Sequence, residues 1–509
     1  MKLLGRKLCS LGLGGLLTFS MVGCASSNET TDKNQSTSVE ASSSESGELD
    51  YDAITKPEKI TMMVNGNFVS VAAGQDEVVK KYKELTGIDL VITTIDHNSY
   101  NDQLALAFAS GDVPDVVILS SDFYAAYASQ GALADLTEYW EKSEAKNSGR
   151  FRTEYMDSLY IDDTLYGFAA QRGNGCLTYI RQDWLDNLGL SVPTTYEEYL
   201  NVVREFTVGD PDGNGINDTY GVTAPGLIGA GSPYISYLPE FWQDSFPGLY
   251  ENEDGVWVDG FSEQATVDAL QRLKDAYDEG IIDIEVTTNK TSSCRDKFYA
   301  GNVGTFTYWA GKWSKTLEEN LQAINPDAKL VAIPPIAELG AYPERQTPAI
   351  AITKNCKNPA GVFKYLFDYM VDGGEGQMLF TYGVEGVHYE VKDGVYTQLP
   401  NLENPSTTFA CVYIDPLLSL SEWVEEDPFA GSRDAAIVES NELFVENSEI
   451  APMVVSNDVI ANYASSISDI CNVIVADVVT GNLSPEEGIE SYRAQTDSMI
   501  SEMLDSLNN

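Results

Sequence analysis

The run Asp210-Pro211-Asp212-Gly213-Asn214-Gly215-Ile216-Asn217-Asp218 sets oxygen-bearing side chains at alternate positions, with glycine at the sixth. Such spacing lets a short loop wrap a hard cation, and Ca2+ is the natural occupant. Asp210, Asp212 and Asn214 are the expected side-chain ligands, Ile216 the expected carbonyl ligand, and Asp218 a ligand directly or through water. The ion would have a structural role, pinning the loop. An EF-hand needs glutamate at its twelfth position, which here is Gly221, so this is not an EF-hand. The bland alternative is a polar turn, but three carboxylates so close together repel one another unless a cation neutralises them.

A second chemistry is aromatic. Tyr308, Trp309 and Trp313 follow a strand-like run, and Trp242 lies in the segment PEFWQDSF. A pyranose has a C–H face that packs on an indole and a rim of hydroxyls that needs polar partners. Asn65 and Asn67 after KITMMV, and Ser121 and Asp122 after VVIL, stand at strand ends, where such partners are usually supplied. Trp184 and Trp257 are assigned to the core, the commoner fate of a tryptophan.

Catalytic motifs are scarce. The two histidines, His97 and His388, are far apart, and there is no GxSxG, HExxH or Walker A match. Ser143–Lys146 fits SxxK without its companion elements. A glycoside hydrolase needs only two facing carboxylates, so a lipid-anchored carbohydrate-active enzyme stays open as the alternative.

The elements that must hold these residues read as α/β. Lys59–Val64 is strand-like, Asp76–Thr86 has helical spacing and stops at Gly87, and Leu90–Ile95 is again strand-like. A helix over Tyr100–Ser110, a strand over Val116–Leu119 and a helix from Phe123 to Ser129 continue the alternation, which predicts a mostly parallel, doubly wound sheet. Further strands are expected at 165–169, 178–180, 303–307, 330–333 and 349–352. Ser484-Pro485-Glu486-Glu487 predicts a capped helix at the C-terminal end.

The N-terminus carries an address. Lys2, Arg6 and Lys7 precede an apolar run from Leu8 to Val22, too short for a membrane span and closed by Gly23-Cys24, as in a secretory leader. Met21-Val22-Gly23-Cys24 resembles a bacterial lipobox, with Cys24 as the lipidated residue. From Ala25 to about Asp50 the chain is almost wholly polar, which predicts a solvated tether. The expectation is therefore an extracellular protein on the outer face of the cytoplasmic membrane, touching the membrane only through its anchor.

Seventy-eight acidic residues oppose 31 basic ones, a net charge of −47, and loss of the leader with its three basic residues takes it to −50. Nucleic acid is excluded as a partner, and a neutral ligand is the simpler expectation. The cysteines at 176, 294, 356, 411 and 471 form no CxxC pair and are expected to be buried. The more than 450 residues after the tether imply about two domains.

LALAFASGDVPDVV at 104–117, GALADL at 131–136, LYGF at 165–168, the stretch 179–221, FYAGNVGTFTYWAGKW at 298–313 and the stretch 359–389, which reads GVEGVHY at 383–389, together resemble the extracellular solute-binding protein family 1, in its large Gram-positive lipoprotein branch. The resemblance implies a type II periplasmic-binding-protein fold: two α/β lobes, each a mixed sheet flanked by helices, joined by crossing strands and closing like a hinge. The implied division is leader 1–23, tether 24–54, first lobe 55–171 plus 346–385, and second lobe 172–345 plus 386–509. The first crossing is expected near Gln171–Gly175, whose two glycines would allow backbone rotation, and a return near Pro343–Pro348; Arg172 and Asn174 then become ligand candidates. The implied function is carbohydrate capture, most simply of an oligosaccharide, by a monomer serving ABC permease subunits; a receptor for a sensor kinase is a further alternative. In the resembling lipoproteins an acidic residue often follows the last aspartate of the cation loop, where this chain has Thr219.

Overall fold

Alternate residues of Lys59–Asn65 are buried, with Ile60, Met62 and Val64 fully enclosed, so this strand has one face on a core. The computed structural model describes residues 49–66, 68–96, 99–161, 163–228, 237–405, 407–411, 413–451 and 457–508. The leader, Cys24 and the tether up to residue 48 lie outside them.

Helix Gln75–Thr86 buries Val78 and Tyr82 at helical spacing and stops at Gly87, whose left-handed backbone (φ 78°) turns the chain into strand Asp89–Ile95. That strand pairs parallel with Lys59–Asn65, which also pairs parallel with Val116–Leu119. All four residues of Val116–Leu119 are buried, as expected of a central strand. Ala349–Ile352 lies beside it antiparallel, and Gly167–Phe168 closes this five-stranded sheet. The sheet is thus mixed, with four strands running one way and Ala349–Ile352, which enters from the return crossing, running the other.

The second sheet orders Leu330–Ala332, Cys176–Arg181, Val303–Trp309 and Tyr220–Val222. Its two inner strands pair antiparallel, and Tyr220–Val222 is parallel to Val303–Trp309. Helices Gln264–Asp278, Asp458–Val479 and Pro485–Asn508 pack together beside it. The capping box forms: Glu487 N–H donates to Ser484 Oγ, and Ser484 N–H donates to the Glu487 carboxylate. Each sheet has its own large apolar core, which gives the two lobes.

Two boundaries differ from the expectation. Tyr51 and Ile54 are buried, with the Tyr51 hydroxyl donating to Asp368, so the folded part begins inside the expected tether. Phe409, Cys411, Tyr413, Ile414 and Leu420 join the first core, so the stretch after 386 returns to the first lobe before helix Ala435–Glu446 joins the second. Their apolar side chains find a partner surface there that local sequence does not reveal.

The crossings lie side by side. Arg345 N–H donates to the Asn174 carbonyl, and Gly175 bridges Glu344 antiparallel. A third segment runs alongside, with Arg172 N–H donating to Leu418 O and Leu420 N–H to Ala170 O. Ser448–Ile450 then pairs parallel with Tyr342–Glu344.

Candidate functional site

Asn65 ends the first strand of the first lobe, and Trp309 ends a central strand of the second. Strand ends of open α/β sheets are where ligands are received. Two residues bridge these ends. The Asn65 amide donates to the Tyr413 hydroxyl at 2.6 Å, and burial pushes the Tyr413 phenol up while the neighbouring Arg345 guanidinium offsets part of the rise. The Arg345 guanidinium lies over the Trp309 ring, 4.9 Å from its centre. The Trp309 side chain also lies against the buried Tyr237 phenol, and Phe68 stacks on Tyr413. The row Asn65, Tyr413, Arg345, Trp309 therefore passes from one lobe to the other beside the crossings.

The other expected ligand residues divide. Tyr308 is 3% exposed and accepts a hydrogen bond from Arg295, which also covers Trp313; the Tyr308 and Trp313 rings meet edge to face at 4.8 Å. These three make a separate aromatic–cation cluster in the second lobe. Trp242 is buried and its indole N–H is spent on the Leu227 carbonyl, so it is a core residue at the wall of a cavity of about 320 Å³. Asn174 uses its side-chain oxygen to accept from Gly175 N–H. Asn67 lies outside the described residues, and Ser121 and Asp122 open the helix that follows Val116–Leu119.

Arg172 departs from its expected role. It is 5% exposed and ion-paired with Glu344, which is fully buried; Ser448 joins the pair and Tyr155 lies under the guanidinium. A buried cation needs a counterion, and this one has it from the return crossing, leaving the head committed to joining the crossings. The crossing glycines also serve differently from the expected rotation. Gly173 and Gly175 are not among the residues with positive φ; instead, any β-carbon there would collide with the backbone of residues 345 and 343.

In the acidic loop, the Asp210 carboxylate accepts from Gly215 N–H, closing the first position onto the sixth. The Asn214 amide donates to both Asp212 and Asp218, and Asn187 holds the Pro211 carbonyl. Ile216 N–H is taken up by the Asn214 side-chain oxygen. The donors are all hard oxygens on an exposed loop, which suits Ca2+, although among the described residues no three acidic side chains converge on one point. Thr219 turns inward onto the Phe206 carbonyl, and a side chain at Gly221 would strike the Val203 carbonyl at 2.3 Å. No twelfth-position glutamate could fit.

His388 is structural. Val384 N–H donates to its Nδ1, so Nε2 carries the proton and donates to the Ala73 carbonyl. These five cysteines are free; four are buried as expected, and Cys356 is half-buried. Glu240 is buried beneath the second sheet with Thr178 donating to it, and burial pushes its carboxyl up to about 7.

The chain matches the bacterial extracellular solute-binding proteins over residues 65–372. It belongs to that family. Among the relatives of this solute-binding protein, lipoprotein LipO of Bacillus subtilis is 27% identical over 333 residues, 63% of this chain and 65% of LipO. The chain thus spans less than two thirds of that relative's length. In fold it resembles an HMO-binding ABC-transporter-associated solute-binding protein from Bifidobacterium longum infantis, with a TM-score of 0.66 at 17% identity, covering 89% of this chain and 98% of that one. It also resembles an EF-hand mutant of the S. pneumoniae ABC-transporter substrate-binding protein FusA in complex with fructo-nystose, with a TM-score of 0.62 at 16% identity, covering 88% and 98%. These neighbours establish the two-lobed type II fold.

Tyr413 and Arg345 were not singled out in the sequence. Arg345 had one legible signal, a cation inside the expected return crossing, PERQTP. Tyr413 had none, since it reaches the site from more than sixty residues further on.

Proposed function

We propose that this solute-binding protein captures an oligosaccharide between its lobes and hands it to an ABC permease, without transforming it. The observation that carries this reading is the row Asn65, Tyr413, Arg345, Trp309, which joins strand ends of both lobes through an indole, a phenol and hydrogen-bonding heads. Aromatic faces with a few polar groups suit a sugar ring. The ligands of two fold neighbours, HMO and fructo-nystose, agree with that class. In this reading Cys24 anchors the chain to the outer face of the membrane, Ca2+ pins the loop Asp210–Asp218, and the protein acts as a monomer; the EF-hand of the FusA relative supports the cation.

A thermal-shift screen against mono- and oligosaccharides tests the proposal, because a ligand bound only by the folded state raises the melting temperature. A sugar-specific rise with the sugar recovered intact supports capture. Shortened products would replace it with the hydrolase alternative.

A further inference from the structure

Arg345 differs from every other described arginine. Each of the other nine donates at least one side-chain hydrogen bond to protein, whether to a carboxylate, as Arg181 does to Asp183, or to a backbone carbonyl, as Arg150 does to Asp372. The Arg345 side chain donates none among the described residues, and its Nε is buried without a partner. Burial pushes its guanidinium down, and the titratable groups beside it are the Tyr413 phenol and the Cys176 thiol, which burial keeps neutral.

In a chain with 78 acidic residues, a guanidinium set into the crossing without a carboxylate is not explained by folding. Its contact with Trp309 holds the head in place while consuming none of its N–H donors. The terminal nitrogens are not among the buried unpartnered atoms, so they keep access to solvent. A guanidinium edge of this kind takes a carboxylate through two parallel hydrogen bonds.

We infer that the captured solute is acidic, and that Arg345 receives a carboxylate of a uronate-type sugar residue at the junction of the lobes. This rests on the capture reading above and corrects the expectation of a neutral ligand. One guanidinium matches one negative charge, whereas a phosphate dianion would bring two into a chain of net charge about −50. The long-range repulsion slows the approach of any anion, so the inference requires the short-range contact to outweigh it.

The test is calorimetric titration of the purified full chain with several uronate trisaccharides, each paired with its own methyl ester, and with neutral oligosaccharides. The wild type should hold one acid at least about tenfold more tightly than its ester, the scale of a hydrogen bond to a charged group. Arg345→Gln should bring that ratio close to one, and Arg345→Lys should keep part of it. Should Arg345→Gln fail to fold, the wild-type acid-to-ester ratio and the lysine variant decide. An ester bound as tightly as its acid, or binding of neutral sugars alone, overturns the carboxylate and leaves sugar capture standing. Binding of no sugar at all overturns both.

Discussion

A β-carbon on Gly173 would stand 1.7 Å from the carbonyl oxygen of Arg345, because the outgoing and returning crossings run in backbone contact there. The same contact sets the position of the Arg345 head, since its N–H is bonded to Asn174. Gly173→Ala should therefore destabilise the fold by about 3 kcal/mol, the upper range for forced overpacking, and weaken ligand binding as well. Calorimetric unfolding reads the first effect; an unchanged melting temperature would mean that the crossings separate easily.

The Arg172–Glu344 pair predicts a different pattern. Removing one partner leaves the other charge buried alone, so Glu344→Gln should cost about 3–5 kcal/mol. The double replacement Arg172→Met with Glu344→Leu should recover most of it. Urea denaturation of the three variants checks this, and a double variant worse than the single one would contradict it.

Trp309 and Trp242 should separate cleanly. Trp309→Ala removes an indole from the candidate site and should lower affinity for an identified ligand by about 2 kcal/mol or more, with a modest effect on stability. Trp242→Ala opens the core and should cost about 3–5 kcal/mol of stability while the intact fraction binds normally. Titration beside thermal unfolding distinguishes the two.

Ca2+ should raise the melting temperature of the chain, and chelation should reverse the rise. Asp212→Asn should abolish the response without altering sugar affinity, because the loop lies apart from the row Asn65, Tyr413, Arg345, Trp309. A calcium response that survives Asp212→Asn would move the ion elsewhere.

Glu240 predicts a pH dependence. Its folded carboxyl titrates at about 7 against an ordinary 4.5, so the folded state keeps a proton that the unfolded chain gives up. The stabilisation is full below about 4.5 and is lost as pH rises through about 7, roughly 3 kcal/mol in all. Stability of the wild type relative to Glu240→Gln, measured by denaturant titration at pH 4.5 and 7.5, should fall by that amount; a constant difference would refute the assignment.

Most of what is local was legible in the sequence. The helix ending at Gly87, the capping box at Ser484 and Glu487, the buried strand Val116–Leu119 and the oxygen spacing of Asp210–Asp218 each depend on neighbours a few residues away, where periodicity and turn chemistry act. The crossings at 171–175 and 343–348 were legible too, although the reason for their glycines was not: the constraint is a backbone about 170 residues distant. Tertiary structure alone decided that Arg172 is consumed by Glu344 while Arg345 is left open, that Trp242 is core while Trp309 faces the junction, and that Tyr413 returns to the first lobe. Charge pairing and burial are properties of three-dimensional neighbours, and two arginines or two tryptophans meet different ones once the chain folds.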